Sequence, residues 1–122
     1  MIIGVGIDLV DVARVKRLIA GKSTRALGRL FTAREVEYAM ARMQPFVHLA
    51  ARIAAKEAAY KALSGSPGAR GIGWREMEVV SGEAGRPTLE LHGSAAVRAG
   101  ELCVERVWIS LSHSEMTAGA VV

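Results

Sequence analysis

Cysteine is nearly missing from this chain: Cys103 is the only one, which excludes an internal disulfide and any zinc site built on cysteines. Its neighbours Leu102 and Val104 suggest a packed strand edge, nothing nearby would lower the thiol pKa, and a lone thiol suits a reducing compartment. Aromatic residues make up 5%, too few for the stacking platforms that single-stranded nucleic acid requires. No long apolar run is present either. Met1 to Ile7 is interrupted at Asp8 and has no basic leader, so neither a signal peptide nor a membrane span is expected, and the expected location is cytoplasmic. Phosphate-cradling loops are also missing. No Gly-x-x-x-x-Gly-Lys-Ser/Thr occurs, and Gly4-Val5-Gly6-Ile7-Asp8-Leu9 lacks the third glycine of a dinucleotide fingerprint. Gly-x-Ser-x-Gly, the serine-hydrolase elbow, does not appear.

What is present is aliphatic and unevenly charged. With 122 residues, 51% of them hydrophobic, the chain can bury one core without staples. Its net charge is +4, yet the segment from Val12 to Arg34 holds seven bases and no acid (Arg14, Lys16, Arg17, Lys22, Arg25, Arg29 and Arg34). Such a block calls for a polyanionic partner: nucleic acid, a membrane surface or an acidic protein.

Along the chain, residues 2–10 read as a buried strand in which Gly4 and Gly6 permit close backbone approach. Helical spacing follows from Asp11 to about Ala20, closed by Gly21. Thr32-Ala33-Arg34-Glu35 is a capping box opening a short helix to about Arg42, and Val47 to Leu63 is a long alanine-rich helix. After the loop that starts Ser64-Gly65-Ser66-Pro67-Gly68 come strands at Glu76–Val80, Thr88–Leu91 and Val104–Leu111. The turn 82–87 joins the first two, Ser94–Gly100 is helical, and Met116–Val122 is a last strand. The fold class is α+β: one domain spanning residues 1–122, an antiparallel sheet with a long central helix.

The chemistry centres on that helix. Glu57 and Lys61 share one face in the order that favours an i,i+4 pair, and Arg52 and Lys56 lie beside them among small alanines. Asp8, ending an apolar strand, is either a helix cap or a ligand. Asp8 and Glu57 can together hold a hard cation such as Mg2+, leaving Lys61 to face phosphates. His113, flanked by Ser112 and Ser114, is a candidate anion contact, whereas His48 and His92 read as surface residues.

The segments Gly4-Val5-Gly6-Ile7-Asp8-Leu9-Val10, Phe31-Thr32-x-x-Glu35, Arg52 to Ala58 with Lys61, Gly85-Arg86-Pro87 and Leu111-Ser112-His113-Ser114 follow one another in this order. As a set the chain resembles the holo-[acyl carrier protein] synthase branch of the 4'-phosphopantetheinyl transferases. The resemblance implies Mg-dependent transfer of phosphopantetheine from coenzyme A to a serine of apo-acyl carrier protein in fatty acid biosynthesis, releasing adenosine 3',5'-bisphosphate. It implies Asp8 and Glu57 as magnesium ligands and Lys61 as a phosphate contact. Arg52, Gly85, Arg86, Pro87, Ser112 and His113 would be coenzyme A contacts, with Arg52 near the 3'-phosphate. Arg14, Lys22, Arg25 and Arg29 would dock the acidic carrier, and a homotrimer with sites between subunits is implied as well. Glu57, a magnesium-bound water and His113 all remain open as the general base. A basic nucleic-acid-binding module would explain the arginines but leave Asp8, Glu57 and Lys61 idle; a transferase domain serving a multienzyme synthase would differ only in its partner.

Overall fold

A computed structural model describes residues 1–20, 23–64, 71–82 and 84–122, with the side chains of Ser23 and Thr24 outside the description. In chain order the elements are β1 (Ile7–Asp11), α1 (Val12–Ala20), α2 (Ser23–Leu30), α3 (Ala33–Met40) and α4 (Pro45–Leu63). A 3-10 turn (Trp74–Glu76), β2 (Met77–Ser81), β3 (Pro87–Leu91), α5 (Gly93–Glu101), β4 (Ser110–His113) and β5 (Thr117–Val121) complete the chain. The strands form an antiparallel three-stranded sheet in the order β1-β5-β4 and a separate β2-β3 hairpin.

The long helix is the centre, as its composition requires. Pro45 opens it at a position where a missing N–H costs nothing. Ala50, Ala54, Ala55 and Ala58 have no exposed surface, so the sheet and the other helices close tightly around the backbone of α4. That closeness dictates the glycines. A Cβ on Gly4 would run into the Ala62 carbonyl oxygen, and one on Gly6 into that of Ala58, which is the close approach the N-terminal glycines lead one to expect.

Strand alternation then decides which side chains reach the helix. On β1, Val10 is buried and Asp8 partly so, whereas Ile7 and Leu9 point outward, Leu9 with 73% of its surface exposed. Asp8 lies opposite Ala120 and Leu111 opposite the same residue, so these three share the inner face.

A buried ion pair ties α3 to α4. The capping box at Thr32 forms as expected, but its Glu35 does more than cap. Glu35 Oε1 accepts from Lys56 Nζ at 2.8 Å and from the Thr32 N–H at 2.9 Å, while Oε2 accepts from the Val79 N–H at 3.0 Å. Lys56 Nζ also donates to the Trp74 and Met77 carbonyls at 2.8 and 2.7 Å. Both side chains are fully buried, and every ammonium N–H has an acceptor.

Several expectations need correction. The strand expected over residues 2–10 covers only Ile7–Asp11, and its flanking run is exposed, Ile2 by 79% and Val5 by 62%. Gly6 still exchanges both backbone hydrogen bonds with Val122 at 2.9 Å. The strand expected at Val104–Leu111 is β4, four residues long and starting at Ser110, because residues 104–109 find no strand partner among the described residues. Helix α2 was not expected. Its Gly28 and its position in the basic block obscured an amphipathic pattern in which Leu27 and Leu30 pack against the core. The expected closing residue Gly21, the 65–70 part of the loop and Glu83 of the turn lie outside the described residues.

Candidate active site

Asp8, Glu57 and Lys61 come together as the sequence suggested, but not in the expected pairing. Lys61 Nζ reaches across to β1, donating to the Ile7 carbonyl at 2.9 Å and to Asp8 Oδ1 at 3.2 Å. Its partner is therefore Asp8 on another element rather than Glu57 one turn away. Asp8 Oδ2 is buried and finds no hydrogen-bond partner among the described residues. The Glu57 carboxyl lies against Asp8, and it can donate to that carboxylate only when protonated. Contact with Asp8, then partial burial and the Asp8 charge, push Glu57 up to about 7, against the pull of Arg14 and Lys61. The cap reading of Asp8 falls, since β1 continues to Asp11 before α1 begins.

This donor set fits a hard divalent cation. Glu57, pushed up to about 7 by the neighbouring Asp8, and the buried Asp8 oxygen that no donor among the described residues reaches are the hard oxygen ligands such a cation takes. The lysine offsets the carboxylates on one side only.

A second cluster gathers on another face of α4. Arg52 is 2% exposed; it donates to the His48 carbonyl at 3.4 Å and to Ser81 Oγ at 3.1 Å, and its Nε has no partner among the described residues. Its guanidinium carbon stands 4.2 Å from the Tyr38 ring centroid, and that of Arg42 stands 3.7 Å from it. The His48 ring meets Tyr38 edge-on at 5.8 Å and His113 at 5.6 Å. Burial pulls the His48 imidazole down, reinforced by His113, Arg52 and Arg42; a surface role for His48 is thus overturned. Ser81 pairs with Pro87 in the hairpin, so the Gly85-Arg86-Pro87 turn closes beside Arg52, with Gly85 at φ +73. Tyr38, Arg42 and His48 were not singled out as site residues from sequence, although His48–Arg52 is an i,i+4 pair on α4 and Arg42 follows Tyr38 by four residues, just past the end of α3.

Not every residue joins a cluster. Ser112 pairs with Gly119 and therefore shares the outer sheet face with Leu9, whereas His113 is on the opposite face with Ala118. One ligand cannot meet both from the same side of the sheet. Arg14, Arg25 and Arg29 are exposed on α1 and α2, as a docking surface requires, while Lys22 lies outside the described residues. A third group, Glu78, Glu90 and His92, brings its ligand atoms within 4.8 Å of one another, but Arg34 already bridges both acids at 2.9 Å. Arg34, with Thr32 and His92, holds Glu78 down at about 2. This hydrogen-bonded knot ties α3 to the hairpin.

Paired carboxylates beside a lysine, with a separate cationic cluster at a helix, describe a group-transfer enzyme acting on a substrate that carries several phosphates. The chain belongs to the 4'-phosphopantetheinyl transferase superfamily, whose family model matches residues 4–117. It is 43% identical over 122 residues to a holo-[acyl-carrier-protein] synthase of Geobacter sulfurreducens, covering 100% of this chain and 96% of that one. To the same-named protein of Anaeromyxobacter sp. it is 45% identical over 125 residues, covering 100% and 94%. Among solved structures, the Neisseria meningitidis holo-[acyl-carrier-protein] synthase superposes with a TM-score of 0.85 at 28% identity, covering 99% and 96%. The Chronobacterium ammoniagenes ACPS-CoA complex superposes with a TM-score of 0.80 at 28% identity, covering 97% and 92%.

Proposed function

We propose that residues 1–122 form one transferase domain that moves 4'-phosphopantetheine from coenzyme A to a serine of apo-acyl carrier protein in fatty acid biosynthesis. The carrying observation is the unmet valence at Asp8: a buried oxygen without a partner, next to an acid pushed up to about 7 and a lysine. Asp8 and Glu57 would hold Mg2+, which when bound supplies positive charge to the diphosphate and so lowers the barrier to in-line displacement. The serine oxygen forms a bond to the β-phosphorus, and the bond from that phosphorus to the bridging oxygen breaks, releasing adenosine 3',5'-bisphosphate. Lys61 donates to the diphosphate oxygens as charge builds there. A carboxylate has two oxygens, so Glu57 can give one to the cation and use the other to accept the serine proton. Coenzyme A carries one further phosphate, on its 3'-oxygen, and the Arg52–His113 cluster is the second cationic place for it. The Gly85-Arg86-Pro87 turn beside Arg52 would border the nucleotide.

The active unit is a homotrimer with sites between subunits. Two observations support this. Arg52 and Glu57 lie five residues apart on α4, roughly 7.5 Å along the axis and about 140° around it, so the two clusters look in different directions within one chain. The outer face of β1, with Ile7, Leu9 and the neighbouring Val5, is apolar and exposed, a surface that invites another copy. Arg14, Arg25 and Arg29 would meet the acidic face of the carrier, and the exposed free thiol of Cys103 suits a reducing cytoplasm. No helix among the described residues is long and apolar enough to cross a membrane.

The test is mass spectrometry of apo-acyl carrier protein incubated with the protein, coenzyme A and magnesium. A gain of about 340 Da, one phosphopantetheine, is expected; an unchanged carrier mass would refute transfer. Light scattering should give a trimer at concentrations where the protein is active.

A further inference from the structure

Two guanidiniums gathered at one place repel one another, and something must hold them. Arg42 and Arg52 both stand over the ring of Tyr38, at 3.7 and 4.2 Å from its centroid. The ring's negative face attracts both cations. Arg42 is also tethered to the Tyr38 carbonyl, Nη1 donating at 3.3 Å. The same ring receives His48 edge-on, and His48 in turn braces His113, the two contacts being 5.8 and 5.6 Å between centroids. Tyr38 itself is half-buried on α3.

Resting on the transferase reading above, we infer that Tyr38 is a positioning residue for the 3'-phosphate of coenzyme A, holding Arg42 and Arg52 side by side and, through His48, fixing His113. The partnerless Arg52 Nε inside this group is the donor a dianionic phosphomonoester would satisfy. Arg42 thereby joins Arg52 and His113 as an anion contact. The phenol oxygen takes part as well: Ser81 foremost, then Arg42 and Arg52, pull its pKa down against the effect of burial. Without the ring, the two guanidiniums would separate under their own repulsion and the subsite would lose its shape.

Binding measured by calorimetry separates this role from a merely structural one and does not depend on turnover. Adenosine 3',5'-bisphosphate and adenosine 5'-monophosphate differ by the phosphate in question. The wild type is expected to prefer the bisphosphate by tenfold or more. Tyr38→Leu should weaken the bisphosphate about tenfold, the loss of two ordinary cation–π contacts, leave the monophosphate unchanged, and so erase the preference. Tyr38→Phe, which keeps the ring face but loses the phenol oxygen, should retain most of it. In transfer assays Tyr38→Leu should raise KM for coenzyme A with kcat within about twofold, as loss of uniform binding requires. Equal weakening of both nucleotides in Tyr38→Leu, or a wild type without preference, would overturn the inference. A carrier that gains no mass while the nucleotide preference follows Tyr38 would sink the transfer reading alone.

Discussion

Lys56 and Glu57 are neighbours in sequence and opposites in circumstance. Lys56 is fully buried, its ammonium donating to Glu35 and two carbonyls, and Glu35 is equally complete. One residue on, Glu57 faces an acid instead of a base, and Asp8 beside it keeps an oxygen with no partner. Both regions pair a lysine of α4 with a carboxylate from another element, Glu35 of α3 or Asp8 of β1; they differ in whether every donor and acceptor is used. Where every donor and acceptor is used, nothing is left for a ligand, and the group serves the fold. Where a buried oxygen is left over and two acids crowd together, the protein carries a cost that a ligand can relieve.

The largest effect should come from breaking the satisfied side. Lys56→Met leaves the Glu35 carboxylate buried without its counter-charge, which should cost about 3–5 kcal/mol of folding free energy. Burial pulls the Lys56 ammonium down and Glu35 pulls it back up, so the pair survives only while both members are present. Urea unfolding should show the loss as a lower midpoint; a midpoint like that of the wild type would mean that the pair is dispensable.

The same operation on the open side should act on rate rather than on fold. Lys61 has 55% of its side chain exposed, so Lys61→Ala should scarcely move the melting temperature. Losing a charged contact to the developing phosphate charge costs about 3 kcal/mol, roughly a hundredfold in kcat. Lys61→Arg should recover only part of that, because a planar fork does not replace a compact ammonium. If single-turnover rates were unchanged in Lys61→Ala, the lysine would merely be a tether for β1.

These two regions were unequally legible in the sequence. Asp8, Glu57 and Lys61 were found because an acid in an apolar strand and a charged face on an alanine helix are both locally anomalous. Which of them pair was not legible: the Lys61–Asp8 contact spans 53 positions, and the i,i+4 rule sees only helix neighbours. Lys56 read as a partner of Arg52 beside Glu57 and Lys61, since nothing local reveals that α4 is buried nearly all round. Glu35 was visible as a cap, but its second partner was not. The N-terminal run read as buried because it is apolar; in one chain its outer face is bare. The cluster around Tyr38 was missed because it draws on α3, α4, β2 and β4, which only the tertiary structure brings together.

Titration should sharpen the comparison further. Glu57 is pushed up to about 7 from an ordinary value near 4.5, so the folded state holds a proton that the unfolded chain has released. Stability from this source is fully present below about 4.5 and is lost as pH rises through about 7. In chelator the melting temperature should therefore decline between pH 5 and 7.5. Magnesium should remove the decline by displacing the proton and binding only the folded state. Asp8→Asn should flatten the profile without any cation, since it removes the acid responsible. Glu78, held at about 2, loses its contribution only as pH falls below its ordinary range, so the two windows stay apart. A wild-type profile as flat as that of Asp8→Asn would show that the two acids do not share a proton.

The smallest expected effect divides the basic surface itself. Arg25 lies exposed on α2, whereas Arg14 on α1 is close enough to pull on the Glu57 carboxyl. Arg25→Glu should therefore raise KM for the carrier by a few fold, about 1 kcal/mol for an exposed charge contact, and leave coenzyme A alone. The loss should shrink at high salt, because most of it is steering. Arg14→Glu should impose the same penalty and also act on the site. An acid in that place adds negative charge beside Asp8 and Glu57, from which a divalent cation gains more than the competing proton does. The magnesium concentration for half-maximal rate should then fall in Arg14→Glu but not in Arg25→Glu. If both variants shift carrier KM alone, Arg14 belongs wholly to the docking surface; if both shift the magnesium requirement, the basic block acts on the site as a diffuse field and not through one neighbouring side chain.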